Sequence, residues 1–465
     1  MGEAISAVSL AAAKSRRPTP EDMIILGNIL GGKGKDVAIG IDMDPSSMMM
    51  RNALVSGLLA VGTNVWDAGV MPAPAVLLSA KNMDCTVMIG SPDSTGKIAD
   101  VVMYDSDGAE FNNEMYRNII TRYNEHTFTL QDYKNVGKVR PLTNVAKRYI
   151  GRLTKGRDAH GSPIILDCGC NCTAKCAPQV LAGIGCDLVC LNGQVDPEYR
   201  PRQPGISKTD ISDMNELVAA NLGTVGIALN GNGTRMALID EGGRYISPEE
   251  TLALLLLYLK PSVLVIPVDS TSLITDAFWG NIGKIKTDVQ ETGSRKIIKT
   301  DGSMEATTSA LKDNGGLGVT DDWEFIYADH SLCPDGILTG TILSELSGSN
   351  SIRNTTTSFP KYVVLNDVVR YAPIGLGTVK DQHVVHSPTA NREMFSKKID
   401  NEISKLDCSG VYTVKGWRVE LEFGWFSISF STDSDGYVDI VSEAKDKAYA
   451  VCMMEQAKEM VIKCL

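Results

Sequence analysis

DVAIGIDMDPSSMMMRNALVSGLLAVGTNVWDAGV, residues 36–70, holds three patterns in succession. Asp36 to Asp42 is an apolar, β-rich run. Pro45-Ser46-Ser47 reads as a helix start, and the apolar residues after it recur at helical spacing. Thr63 to Val70 is a second β-rich run. Strand, helix and strand in that order make a crossover unit, which joins parallel neighbours in a sheet. The same plan begins again at SPIILDCG (162–169) and SVLVIPVDS (262–270). Repetition of this unit predicts an α/β fold, with parallel sheets covered by helices. Ligands of such sheets bind beyond the carboxyl ends of the strands. Two loops occupy that kind of position: GSPDSTGK (90–97) and DCGCNCTAKC (167–176).

The end of the chain has a different period. Val411 to Arg418 and Val419 to Ile428 alternate apolar and polar residues as strands do. Tyr437 to Val441 is a further short strand, and the sequence from Glu443 onward is helical. This predicts a small α+β domain after the α/β region. The polar stretch SGSNSIRNTTTS (347–358) reads as the loop near the join.

A chain of 465 residues has room for three or four domains. Its net charge of -11 argues against a protein that grips nucleic acid or an anionic membrane surface. The longest apolar run, Leu252 to Leu259, is too short to span a bilayer, and no signal peptide is visible. A cytoplasmic location is expected. Eleven cysteines without a secretion signal read as free thiols. Cys168, Cys170, Cys172 and Cys176 are dense enough to suggest zinc or an iron–sulfur cluster, but they lack the C-x2-C knuckle. The other reading is a set of small residues at a crowded strand-to-helix turn. His383 and His386 have no neighbouring third ligand for zinc. Met48 to Met50 read as core or cleft lining.

GSPDSTGK looks like a phosphate cradle. A Walker A loop, however, needs four residues between its outer glycines and a hydroxyl after its lysine. Here five residues separate Gly90 from Gly96, and Ile98 follows Lys97, so that reading fails.

Beyond these local patterns the chain resembles the α-D-phosphohexomutases over nearly its whole length. The resemblance is carried by Asp42 with Pro45-Ser46-Ser47, AGVMPAPAV (68–76), YDSDGAEF (104–111) and DCG (167–169). It continues through LIDEGGRYIS (238–247), PVDSTSLI (267–274) and ADHSLCPDGIL (328–338). VKGWRVELEFGWFSI (414–428) and VSEAKDKA (441–448) complete it. The resemblance implies four domains: three of α/β type with mixed, mostly parallel sheets (1–150, 151–258, 259–360) and a C-terminal α+β domain (361–465). It also implies transfer of a phosphoryl group between C1 and C6 of a hexose phosphate. A phosphoserine carries the group, magnesium on three aspartates steadies it, one loop reads the sugar and another clamps the second phosphate. His330, in the ADH segment, matches the family framework as a structural hydrogen-bonder.

Each of those loops departs from the family pattern. In loop 90–97 Pro92 falls on the phosphoserine position and Asp93 on the histidine after it, with Ser91 and Ser94 beside them. In loop 230–235 Asn230, Asn232 and Thr234 replace the three aspartates, and only Arg235 is kept. In loop 319–324 Thr320, Asp322 and Glu324 stand where the family has glutamate, serine and histidine. In loop 429–435 Ser429 replaces the arginine, followed by Ser431, Asp433 and Asp435. The arginines around Asp42 and the family's N-terminal motif are missing too.

These departures predict a homologue without mutase activity or cofactor, with phosphosugar binding weak or lost. Such a protein would serve a binding or scaffolding role toward an unknown protein partner or a second copy of itself. Two alternatives stand beside it. One is an active, magnesium-dependent mutase using Ser91 or Ser94. The other is a ligand, metal or redox sensor built on Cys168, Cys170, Cys172 and Cys176.

Overall fold

The structure, a computed structural model, describes residues 18–90, 100–194, 196, 202–282, 285, 294–370, 388–430 and 437–464. The serines and proline of loop 90–97, Ser431, Asp433, Asp435, His383 and His386 lie outside these residues.

Four sheets follow one another along the chain. The first contains β1 (Asp36–Ile41), β2 (Asn64–Val70), β3 (Cys85–Gly90), β4 (Asp100–Tyr104) and β5 (Val139–Pro141), in the order β4-β3-β1-β2-β5. Only the β3–β4 pair is antiparallel. The second contains β6 (Pro163–Asp167), β7 (Asp187–Leu191), β8 (Val225–Leu229), β9 (Met236–Ile239) and β10 (Tyr245–Ile246), ordered β10-β9-β8-β6-β7. The third contains β11 (Val263–Pro267), β12 (Lys296–Thr300), β13 (Leu317–Val319) and β14 (Phe325–Tyr327), ordered β12-β11-β13-β14. Its first two pairs are parallel and its last is antiparallel. The fourth, fully antiparallel, contains β15 (Val363–Arg370), β16 (Gly410–Tyr412), β17 (Trp417–Leu421), β18 (Gly424–Phe430) and β19 (Tyr437–Ala444), ordered β15-β19-β18-β17-β16. The architecture is three α/β sheets with mixed, mostly parallel pairing and a C-terminal antiparallel sheet, as the periodicities and the resemblance imply.

The opening stretch folds as its patterns dictate. From Val37 to Ile41 β1 is buried on both faces, as a strand roofed by helices must be. The helix Pro45–Ala60 starts at Asp44, whose carboxylate accepts from the Ser46 N–H at 2.9 Å, with Pro45 in the first turn. It crosses the helix Pro20–Leu30 at two glycines. A Cβ on Gly57 would lie 2.1 Å from the Ile24 carbonyl oxygen, and one on Gly27 2.4 Å from that of Leu54. Only glycine allows the two backbones to approach this closely.

The run Leu252 to Leu259 lies in the helix Pro248–Leu259, which is buried almost all round between the second and third sheets. No helix among the described residues is long and apolar enough to cross a membrane. That helix and the helix Val145–Thr154 run across two of the expected domain boundaries.

Two local expectations need correction. The stretch 347–358 is helical rather than a loop, ending the helix Gly336–Ser349 and forming Ile352–Thr357. The Ser351 hydroxyl caps the second helix locally, accepting from the Asn354 N–H at 3.2 Å, and a tertiary contact adds to it. The Glu241 carboxylate accepts from the N–H groups of Ile352 and Arg353, at 2.8 Å each, and so caps the second helix from another domain. The two alternating runs at 411–428 are three strands, because Gly416 turns the chain with φ +133° and Glu422-Phe423 form a second turn.

Candidate functional site

Segments from the first three sheets meet, and a chain of hydrogen bonds ties them together. At the end of β1 the Asp42 N–H donates to the Ile89 carbonyl at 3.0 Å, while its carboxylate accepts from the Ser47 hydroxyl at 2.5 Å and the Asp44 N–H at 3.0 Å. A Cβ on Gly90 would lie 2.8 Å from the Asp42 carboxyl carbon, so β3 ends directly over Asp42. The Met43 N–H donates to the Asn171 side-chain oxygen at 3.2 Å, linking β1 to the turn after β6. From that turn the Cys172 thiol donates to the Gly231 carbonyl at 3.0 Å. Loop 230–235 then reaches both ways: its Asn232 carbonyl accepts from the Ala73 N–H, and its Gly233 carbonyl from the Gly336 N–H, each at 2.9 Å. The site is therefore a rigid junction.

Within loop 230–235 the polar side chains serve the loop itself. Asn230 is fully buried. Its oxygen accepts from the Arg235 N–H at 3.0 Å, and its amide donates to the Thr234 hydroxyl at 3.3 Å. The Asn232 oxygen accepts from the Thr234 N–H and hydroxyl at 3.2 and 2.9 Å. An aspartate could make these bonds with one oxygen and offer the other to a cation. An amide has a single oxygen and no charge. The family's magnesium therefore does not fit these residues. Among the described residues no three His, Cys, Asp or Glu side chains gather as a metal site. Replacing Asn230, Asn232 and Thr234 together by aspartate should give a magnesium-dependent rise in melting temperature that the parent protein lacks; thermal scans with and without magnesium check this.

Loop 319–324 is a closed turn. The Thr320 N–H donates to the Glu324 carbonyl, and the Glu324 N–H to the Thr320 hydroxyl, both at 3.3 Å; Trp323 between them has φ +58°. The Glu324 carboxyl hydrogen-bonds Thr234, with Arg235, Glu110 and Asp322 near it. Although part of it meets solvent, it sits deep among protein atoms. Burial pushes its pKa up to about 7, the Glu110 and Asp322 charges add to this, and Arg235 and Thr234 oppose it. Glu110, brought in by the antiparallel bridge Tyr104–Glu110, is also pushed up to about 7, first by burial, against a hydrogen bond from Tyr116. Asp321 pairs with Lys415, which joins the turn to the C-terminal domain. The structure thus brings Thr234, Arg235, Asp322 and Glu324 together. It adds Glu110, which the sequence did not single out, because only the fold closes a gap of over two hundred residues between them.

A raised carboxyl pKa has a definite sign in the stability. Glu110 in the unfolded chain ionises near 4.5, so its contribution is complete below that and is lost as pH rises through about 7. The full swing is at most about 3 kcal/mol. Glu110→Gln should flatten the fall in stability of the parent protein between about pH 5 and pH 8, read from urea unfolding across that window.

Ser429 lies on β18 opposite Asp439. The four clustered cysteines do not converge. The Cys172 thiol bonds Gly231, Cys168 faces Cys190 with 3.8 Å between sulfurs, and Cys170 sits at a φ of +52° in the turn. All the described cysteines are free thiols. His330 has its Nε2 3.2 Å from the Asp335 carboxylate, which is itself held by the Tyr149 hydroxyl and the Leu338 N–H at 2.8 Å each. That places His330 in the framework.

Comparison with known proteins agrees with the fold. Residues 23–130 match the family described as phosphoglucomutase/phosphomannomutase, alpha/beta/alpha domain I. A probable phosphoglucosamine mutase of Methanosarcina barkeri is 24% identical over 449 residues, covering 95% of this chain and 95% of its own length. A phosphoglucomutase/phosphomannomutase family protein of Burkholderia thailandensis superposes with a TM-score of 0.77 at 17% identity, over 96% of this chain and 94% of its own. The Aspergillus fumigatus N-acetylphosphoglucosamine mutase, solved in complex with GlcNAc-6P and magnesium, has a TM-score of 0.50 at 12% identity, over 92% of this chain and 82% of its own.

These relatives correct the expectation of a homologue without activity. Proteins named as probable phosphoglucosamine mutases match this chain from end to end, and nothing in them marks a lineage that has lost catalysis. The expectation weighed four loops residue by residue, two of which reach outside the described residues. It took the matching core and connectors between the loops as a fold kept without its activity, whereas the relatives that share that framework are named as mutases.

Proposed function

We propose, from the premise that this chain belongs to the α-D-phosphohexomutase family, that it is a phosphosugar mutase acting on a hexosamine phosphate. The observation that carries this reading is the hydrogen-bonded junction. It seats the end of β3 on Asp42, links loop 230–235 to the turn after β6, and lies beside the pair Arg235 and Glu324, brought close from different parts of the chain. Ser91 or Ser94 is the phosphoryl carrier, and the Arg235 guanidinium reads the phosphoryl oxygens. The carboxyls of Glu324, Glu110 and Asp322 outnumber the one cation near them. An ammonium group beside them would draw Glu324 and Glu110 into their charged forms, which suits a sugar bearing an ammonium better than a neutral hexose. The name carried by the curated relatives points the same way.

The test uses glucosamine 6-phosphate with a trace of glucosamine 1,6-bisphosphate, followed by phosphorus NMR and intact-mass analysis. Appearance of the 1-phosphate is expected, with a phosphorylated protein that disappears in either Ser91→Ala or Ser94→Ala. No turnover of glucosamine or glucose phosphate and no phosphorylated protein would sink the reading.

A further inference from the structure

Cys190, on the edge strand β7, is exposed, and its sulfur lies 3.8 Å from that of buried Cys168. The two belong to neighbouring parallel strands. Leu166 is paired with Cys190, so Cys168 sits two residues further along β6 on the same side of the sheet. Space for the Cys190 sulfur depends on Gly193, where a Cβ would come within 2.7 Å of it. The hydrogen bond between the two thiols favours charge on one sulfur. It lowers the Cys190 pKa against the effects of burial and Asp167, and with burial it raises that of Cys168. An accessible, more acidic thiol beside a buried second thiol is the arrangement of an attacking and a resolving cysteine.

We infer that Cys168 and Cys190 form a reversible disulfide, a covalent modification site that couples peroxide or disulfide oxidants to the candidate site. With a peroxide the chemistry is as follows. The Cys190 thiolate attacks the O–O bond and becomes a sulfenic acid as hydroxide leaves. The Cys168 sulfur then attacks the Cys190 sulfur, its proton leaves with the departing oxygen as water, and the S–S bond forms. The two thiols lose two electrons and two protons, and the peroxide becomes water. Closing the bond draws Cys168 toward β7. The Cys168 carbonyl accepts from the Thr173 hydroxyl at 2.7 Å and the Asn171 N–H at 3.3 Å. Asn171 in turn holds Met43 beside Asp42, and Cys172 holds loop 230–235. The oxidised turn therefore loosens the junction from its centre.

The experiment treats the reduced full chain with hydrogen peroxide, alkylates the remaining thiols after denaturation and locates the modified sulfurs by tandem mass spectrometry. Loss of two of the eleven alkylatable thiols is expected, joined as Cys168–Cys190 and restored by dithiothreitol. Cys190→Ser should keep Cys168 alkylatable and leave the reduced protein's activity unchanged. A Cys190 that ends as sulfinic acid, or bonded to Cys186 or Cys452, with Cys168 still alkylatable, would overturn the inference. The thiol count is independent of the mutase reading. Where turnover is measurable, it should fall several-fold on oxidation of the parent protein and not of Cys190→Ser; an equal fall in both refutes the coupling to the site.

Discussion

Arg235→Ala lowers kcat/KM for the hexosamine phosphate by about 10²–10³, the usual effect of removing one preorganised stabiliser of a transferring anionic group. Arg235 is positioned before substrate arrives. Its N–H is bound by the Asn230 side chain at 3.0 Å, and its carbonyl accepts from the Asn230 N–H at 3.2 Å. Gly336 packs against it so closely that a Cβ there would lie 2.6 Å from the Arg235 carbonyl. The backbone of the residue is thus clamped from both sides, which restricts where its guanidinium can reach. The fork geometry matters as well as the charge, so Arg235→Lys should recover only part of the loss. Steady-state kinetics on both variants, beside thermal scans confirming an intact fold, check the prediction. Activity in Arg235→Ala within threefold of the parent protein would mean that Arg235 does not touch the phosphoryl group.

The second large effect is on stability. Arg418→Ala should destabilise the seam between the third and fourth sheets by about 3–5 kcal/mol, the range found when one member of a buried charged network is removed. Arg418 is 3% exposed and donates from Nη1 to the Val268 and Ser270 carbonyls at 2.9 and 2.7 Å. Its guanidinium lies 3.9 Å from the Trp425 ring, and its Nε is at ion-pair distance, 3.3 Å, from Glu420, without hydrogen-bond alignment. Next to it the buried Glu443 carboxylate accepts from the Ser272 N–H at 2.7 Å and the Trp425 indole at 3.0 Å. Removing the arginine strands two carbonyls, uncovers the indole face and takes away the buried cation facing Glu443. Urea unfolding followed by tryptophan fluorescence should show an early transition of the C-terminal domain in Arg418→Ala, while the first three domains keep their midpoint. Arg418→Met, which preserves much of the packing, should lose less.

The two periods written into the chain explain why its fold was legible. Residues 36–70 hold an uninterrupted apolar run, a helix with proline in its first turn and a second run, and these became β1, the helix Pro45–Ala60 and β2. Strands buried on both faces leave that signature because every side chain must be apolar. Residues 347–358 were misread although Ser351 caps their second helix locally; the rest of its cap comes from Glu241, more than a hundred residues away, and no local pattern can report that partner. The candidate site divides in the same way. Loop positions 230–235 and 319–324 were located through the family resemblance, which implies aspartates where this chain has two amides and a hydroxyl.

What the sequence could not decide was how those residues are used. Glu324 and Glu110 become one buried acidic pair only when the third sheet is laid against the first. Cys168 leaves its neighbours in the cysteine run for Cys190 because parallel pairing of β6 with β7 brings those two sulfurs within 3.8 Å. Periodicity and composition are properties of a segment and survive in the bare chain. Charge balance in a cleft, the reach of an amide oxygen and the partner of a thiol depend on distances between segments, and those exist only once the chain has folded.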